Sequence, residues 1–162
     1  MLSPDYYLTN VHGIDLDALA GRGIDTLLVD LDNTLLPRDT NVVPEELRRW
    51  SQDLSHHGFK VCLVSNNWHE RVSTVADELG FELVDKAVKP LPFAFLRALK
   101  KLGSTRRSSA VVGDQLFTDV LGGKLLGMTT VLVAPLSETD LPHTLLLRRL
   151  ERIALAGRKP LP

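Results

Sequence analysis

Thr26-Leu27-Leu28-Val29-Asp30-Leu31-Asp32-Asn33-Thr34-Leu35 decides the architecture of this chain. Its first four residues form a short, apolar run after a turn signal at Gly23, which reads as a buried strand. Two aspartates and an asparagine follow at once, so the chain passes abruptly from core into a polar loop.

The same grammar repeats downstream. A helical pattern runs from Pro44 to His57, with Glu45 and Glu46 at its positive end and Gly58 as a stop. Lys60 to Ser65 reads as a second strand, followed by a helix over Glu70 to Leu79. A short strand, Phe81 to Val84, precedes a helix from Pro92 to Leu102. Ala110 to Gly113 is a fourth strand, Asp119 to Leu126 a helix, and Thr130 to Val133 a fifth strand. A last helix spans about Leu141 to Ala156. Strands separated by helices predict an α/β fold of right-handed βαβ units. The expectation is a single Rossmann-like domain over residues 1–162, with a five-stranded, mostly parallel sheet and helices on both faces.

In such sheets, ligands bind beyond the carboxyl ends of the strands. Three of these strands end in chemically useful groups: Asp30-Leu31-Asp32 with Thr34, Ser65-Asn66-Asn67, and Gly113-Asp114. One polar strand end means little; several converging on one edge indicate a site. Asp30 and Asp32 flank one residue where the strand opens into a loop. Two crowded carboxylates favour either a bound divalent cation or one retained proton. A carboxylate also attacks phosphorus to give an acyl phosphate, while a neighbouring carboxyl protonates the departing oxygen and later takes a proton from water. Asp114 adds a third carboxylate suited to Mg²⁺, which prefers oxygen ligands.

Asp30-Leu31-Asp32-Asn33-Thr34 matches the DxDx[TV] signature of the haloacid dehalogenase (HAD) superfamily. Ser65 resembles its second motif, Lys89 in Val88-Lys89-Pro90 its third, and Gly113 to Asp119 its fourth, in the GDxxxxD form. The resemblance covers residues 26–134 and implies a Mg²⁺-dependent phosphomonoester hydrolase. Asp30 would be the nucleophile and Asp32 the general acid/base. Asp30, the backbone carbonyl of Asp32, and Asp114 would hold Mg²⁺. Ser65, Asn66 and Lys89 would bind the phosphoryl group. Asp119 would support the metal or pair with Lys89, and Thr34 would orient the loop or Asp30. The second aspartate argues against dehalogenase chemistry.

Ser65 follows Asp32 by 33 positions and Lys89 follows Ser65 by 24. Neither interval holds a cap domain, which would need ~50 residues or more. The expected site is therefore open, suiting a large or membrane-presented substrate. The motif segments are most similar to capless YqeG-like class IIIA phosphatases, which resemble phosphatidylglycerophosphate phosphatases. Rival readings are a capless phosphatase for a polynucleotide, phosphoprotein or sugar phosphate, and a non-catalytic regulatory or binding protein on the same fold.

Composition sets the outer bounds. The chain has 162 residues, 44% of them hydrophobic, with a formal net charge of −1. Residues 1–85 carry 6 Lys/Arg and 15 Asp/Glu, whereas residues 86–162 carry 13 and 5. The lone Cys62 lies in an apolar strand and reads as core. No arginine follows it at the spacing a cysteine phosphatase needs. Gly122-Gly123-Lys124 lacks the Ser/Thr of a P-loop, and Gly21-Arg22-Gly23 precedes a strand where a dinucleotide fingerprint would follow one. No run approaches the ~20 apolar residues of a membrane span; a cytoplasmic protein, peripheral to a membrane at most, is expected. The last helix sets Leu146, Leu150 and Ile153 on one stripe near Arg148, Arg149 and Arg152. Packing of those leucines onto the domain is the favoured reading, with contact to anionic membrane the alternative. No aromatic-rich basic groove supports nucleic-acid binding. Arg71 reads as a surface residue or a grip for a headgroup, and His69 as a helix-start residue near the site mouth.

Overall fold

The computed structural model describes residues 2–67, 70–137 and 142–162. Its strands are β1 (Tyr6–Leu8), β2 (Thr26–Val29), β3 (Lys60–Val64), β4 (Glu82–Val84), β5 (Ser109–Gly113) and β6 (Thr129–Val133). The helices are α1 (Leu16–Gly21), α2 (Glu45–His56), α3 (Glu70–Leu79), α4 (Phe93–Leu102), α5 (Leu121–Leu125) and α6 (Pro142–Ala154). Among the described residues all six strands pair parallel, in the order β1-β6-β5-β2-β3-β4.

The sheet thus has six strands where the sequence predicts five. The extra one, β1, is three residues long at an edge, too short to leave a periodic signal. It is held on its far side by Leu161: the Thr9 amide donates to the Leu161 carbonyl at 2.7 Å, and the Leu161 amide to Tyr7 at 2.8 Å. Helix α1 also escapes the sequence reading, being under two turns. The predicted helix from Asp119 begins instead as a π-helical turn, Leu116–Val120, that runs into α5.

Alternation along each strand divides the core between two faces. Leu27, Val29, Val61, Leu63, Ala110 and Val112 meet Leu47, Trp50 and Leu54 of α2 and Val72, Val75 and Leu79 of α3. On the opposite face Leu28, Cys62, Val64 and Val111 pack on Ala94, Phe95, Ala98 and Leu99 of α4. Leu116, Val120, Leu132 and Leu155 extend that second face beneath α6. Gly122 belongs to this packing, because a Cβ there would lie 2.4 Å from the Phe95 ring.

The chain moves from β2 outward through β3 and β4, then crosses back to β5 on the other side of β2. The loops leaving β2 and β5 consequently diverge, opening a crevice at the carboxyl edge. Among the described residues one helix, α2, intervenes between β2 and β3, and one, α3, between β3 and β4, with no inserted cap.

Helix α6 departs from the favoured expectation. Leu146, Leu150 and Ile153 are exposed, Ile153 to 76%, while Thr144, Glu151 and Leu155 are buried. The helix is rotated so that Arg148 points at the domain and the leucine stripe at solvent. The predicted start at Leu141 and the position of His69 lie outside the described residues. No helix among those described is long and apolar enough to cross a membrane.

Candidate active site

Asp30 continues the β2 ladder by donating its amide to the Val112 carbonyl at 2.9 Å. The chain then curls: the amides of Thr34, Leu35 and Leu36 converge on the Leu31 carbonyl at 3.2, 3.0 and 3.3 Å. Asn33 takes a left-handed φ of 61°, which asparagine tolerates better than most residues. That curl sets the Thr34 hydroxyl 3.2 Å from Asp30 Oδ2 and 3.1 Å from Asp114 Oδ1. A hydroxyl carries one proton, so it links the two carboxylates only by alternating between them or by accepting from a protonated one.

Asp114 follows β5 and is buried. Desolvation, then the charge of Asp30, pushes its carboxyl well above the usual range, with Arg148 opposing the shift. Arg148 donates to Asp114 Oδ2 and to its backbone carbonyl, and pairs with Glu151 at 3.1 Å. Glu151 in turn accepts the Leu116 amide at 2.7 Å. Burial would lower the Arg148 pKa, but Asp114 and Glu151 raise it overall and hold the guanidinium charged.

Lys89, on the loop after β4, donates to Asp30 Oδ1 at 2.9 Å and to Asp119 Oδ1 at 2.7 Å. Its burial alone would lower its pKa; Asp119 and Asp30 reverse that and raise it. Asp119 sits in the π-helical turn, buried, with its carboxyl pushed up to about 6 by desolvation against the pull of Lys89. Its Oδ2 also accepts the Gln115 amide at 3.2 Å. The turn lies so close to β5 that a Cβ at Gly113 would fall 2.1 Å from Asp119 Oδ2. Only glycine fits before Asp114.

Asp32 is held differently. Arg71, at the start of α3, donates to Asp32 Oδ1 while bonding the carbonyls of Thr40 at 2.8 Å and Pro37 at 3.0 Å. Asn67 donates its side-chain amide to Asp32 Oδ2. Ser65 ends β3, and its hydroxyl accepts the Asn67 amide at 3.1 Å. Asn66 Oδ1 accepts the Lys89 amide at 2.8 Å, joining the second loop to the third. Asp30, Asp32, Ser65, Asn66, Asn67 and Lys89 all line one open cavity of about 170 Å³.

The sequence-predicted residues therefore lie together, in two layers. Asp30, Asp32, Ser65, Asn66 and Lys89 reach the cavity, and Thr34, Asp114 and Asp119 lie beside or beneath them. Asp30, Asp114 and Asp119 each offer a carboxylate oxygen within 4.8 Å of the others. Such an all-oxygen, anionic donor set fits a hard divalent cation. Two partners escape the sequence reading: Arg71, which reads there as a surface or headgroup residue, and Arg148, which reads as solvent-facing; Asn67 is named there among the polar strand ends but without a role. The Arg148–Glu151 spacing on one helix was the available clue that this arginine shares a face with a carboxylate.

An open parallel sheet with this acidic and lysine-bearing edge defines a hydrolase of the phosphoryl-transfer type. Comparison with known proteins agrees. A family model described as HAD-hyrolase-like matches residues 87–139, which include Lys89, Asp114 and Asp119. The chain is 37% identical over 156 residues to the probable phosphatase YqeG of Bacillus subtilis (strain 168), spanning 96% of this chain and 91% of that one. It is 26% identical over 162 residues to phosphatidylglycerophosphate phosphatase 1, chloroplastic/mitochondrial, of Arabidopsis thaliana, covering 94% of this chain and 46% of that protein. The crystal structure of a HAD phosphatase from Thermococcus onnurineus has a TM-score of 0.51 and 25% identity, covering 72% of this chain and 59% of the other. The chain belongs to the HAD superfamily, in its capless YqeG-like group of phosphatases.

Proposed function

We propose that this phosphatase is a cytoplasmic, single-domain, Mg²⁺-dependent phosphomonoesterase that forms a phospho-aspartate on Asp30. The observation carrying the proposal is the placement of Asp30 at the cavity, with Lys89 Nζ 2.9 Å from one oxygen and the Thr34 hydroxyl 3.2 Å from the other. Lys89 offsets the charge of an incoming phosphate, and Ser65 and Asn66 border the space it would enter. Asp30 attacks phosphorus as the ester P–O bond breaks, and Asp32 gives its proton to the departing oxygen. Asp32 then takes a proton from the water that attacks phosphorus, releasing inorganic phosphate and restoring Asp30. Asp30, the Asp32 carbonyl and Asp114 would hold Mg²⁺, with Asp119 in support. When bound, the ion reduces repulsion between the attacking carboxylate and the phosphate.

The reading extends to substrate. An uncapped cavity suits a phosphate carried on something large, and the similarity to the Arabidopsis enzyme favours phosphatidylglycerophosphate. The exposed leucine stripe of α6, beside Arg149 and Arg152, supports peripheral contact with an anionic membrane.

Phosphate release by wild type and Asp30→Asn, with Mg²⁺ or EDTA, tests both levels on vesicle-bound phosphatidylglycerophosphate and soluble phosphomonoesters. Metal-dependent turnover of the lipid, lowered by about 10³-fold or more in the variant, is expected. Turnover of sugar phosphates, phosphopeptides or polynucleotide ends with none of the lipid would retain the mechanism and remove the lipid. Equal rates for wild type and variant would remove the mechanism.

A further inference from the structure

The loop that carries Lys89 is flanked by apolar side chains in water. Val88 is 62% exposed, Leu91 48%, Phe93 68% and Leu96 43%. These four lie within nine residues, whereas Lys89 among them is buried against Asp30 and Asp119. Val88 is held at a φ of 52°, a costly conformation for a β-branched residue. The segment that bears them leaves the carboxyl edge of β4 and enters α4, and Lys89 within it lines the cavity. Exposed apolar side chains concentrated on a segment that also supplies a pocket residue mark a contact surface.

Charge identifies what the surface contacts. From Lys86 to Gly113 the chain holds seven Lys/Arg and no Asp or Glu. On α4, Arg97 and Lys100 follow Phe93 and Leu96 and are exposed. At a rise of 1.5 Å per residue they lie roughly 6 and 10 Å along the axis from Phe93. Phe93 at the tip, with Leu96 and then Arg97 and Lys100 behind it, matches the gradient from acyl chains to phosphates in an anionic bilayer.

We propose that Val88, Leu91, Phe93 and Leu96 dock the enzyme on the surface of an anionic phospholipid bilayer and bring a headgroup phosphate to Lys89. The proposal rests on the reading of the cavity as a phosphatase site for a membrane-presented ester. It assigns the contact to the third-motif loop and the start of α4, a surface separate from the leucine stripe of α6.

The test is sedimentation of the full chain with phosphatidylcholine vesicles, with and without phosphatidylglycerol, for wild type, Phe93→Glu, Leu96→Glu and Arg97→Glu. Hydrolysis of p-nitrophenyl phosphate is measured alongside. Wild type should sediment with the anionic vesicles alone, more weakly at high salt. Each variant should bind them at least about tenfold less, with unchanged hydrolysis of the soluble ester. Wild type that ignores anionic vesicles, or glutamate variants that bind as wild type does, would overturn the proposal. A wild-type dimer that becomes monomeric in Phe93→Glu would also overturn it, assigning the surface to a second copy. Failure of the phosphatase reading is seen separately, as no turnover of the soluble ester by wild type.

Discussion

Arg148 and Asp114 stand 34 positions apart and meet twice, through the aspartate's side chain and through its backbone carbonyl. Asp114 is thereby fixed from behind while its other oxygen faces Thr34 and Asp30. Hydrogen-bond partners of metal-binding carboxylates set affinity by fixing their orientation, with losses of about 10–100-fold when removed. Arg148→Met should therefore weaken Mg²⁺ binding by about that factor, read by calorimetry on metal-free protein. Arg148→Lys should recover only part, since it lacks the two-pronged donor. Tighter binding in Arg148→Met would mean that the arginine competes with the metal.

Arg71 restrains Asp32 and the loop carbonyls of Pro37 and Thr40 together. Loss of that restraint should matter most when the leaving oxygen needs a proton. Arg71→Leu should lower kcat/KM, which reports the step in which the leaving group departs, by about 10²-fold or more for an alkyl phosphate, and much less for p-nitrophenyl phosphate, whose leaving group departs as the anion. Equal losses of kcat/KM on both substrates would deny a role in protonating the leaving oxygen.

Lys89 is buried between two carboxylates. Removing one member of such a cluster leaves uncompensated charge and costs about 3–5 kcal/mol. Lys89→Met should be destabilised to that extent in urea unfolding at neutral pH, besides losing activity. A loss below about 1 kcal/mol would show that water or ions relax the site.

Asp114 carries a stability cost with a defined sign. A carboxyl whose folded pKa stands above its unfolded value is favoured in its protonated form by folding. Its cost is full above the folded pKa and absent below about pH 4. In EDTA at pH 7.5, Asp114→Asn should melt on the order of 3 °C higher than wild type. That advantage should shrink as the pH falls toward 4, and Mg²⁺ should reverse it by stabilising wild type alone. A lower melting point for the variant in EDTA at pH 7.5 would contradict this account.

Much of this site is legible in one dimension because strand ends are punctuated: Asp30, Ser65 and Asp114 each close an apolar run. Lys89 follows no strand directly and is recognisable only through its family motif. The arginines were illegible for a different reason. Arg71 and Arg148 lie on amphipathic helices, where a charged side chain ordinarily marks the solvent face. Whether it turns inward depends on a buried carboxylate supplied by another segment. Rotation of α6 by Arg148 and Glu151 likewise moved its leucines outward against their periodicity. β1 was hidden by brevity, since three residues paired along an edge carry no pattern of their own.

Tyr7 and Thr9 are hydrogen-bonded to Leu161, so the segment that follows α6 is clasped to the edge strand β1. A force drawing Tyr7 away from Leu161 would have to shear that clasp before it could loosen α6, which ties the grip of Arg148 on Asp114 to the mechanical strength of the sheet's edge.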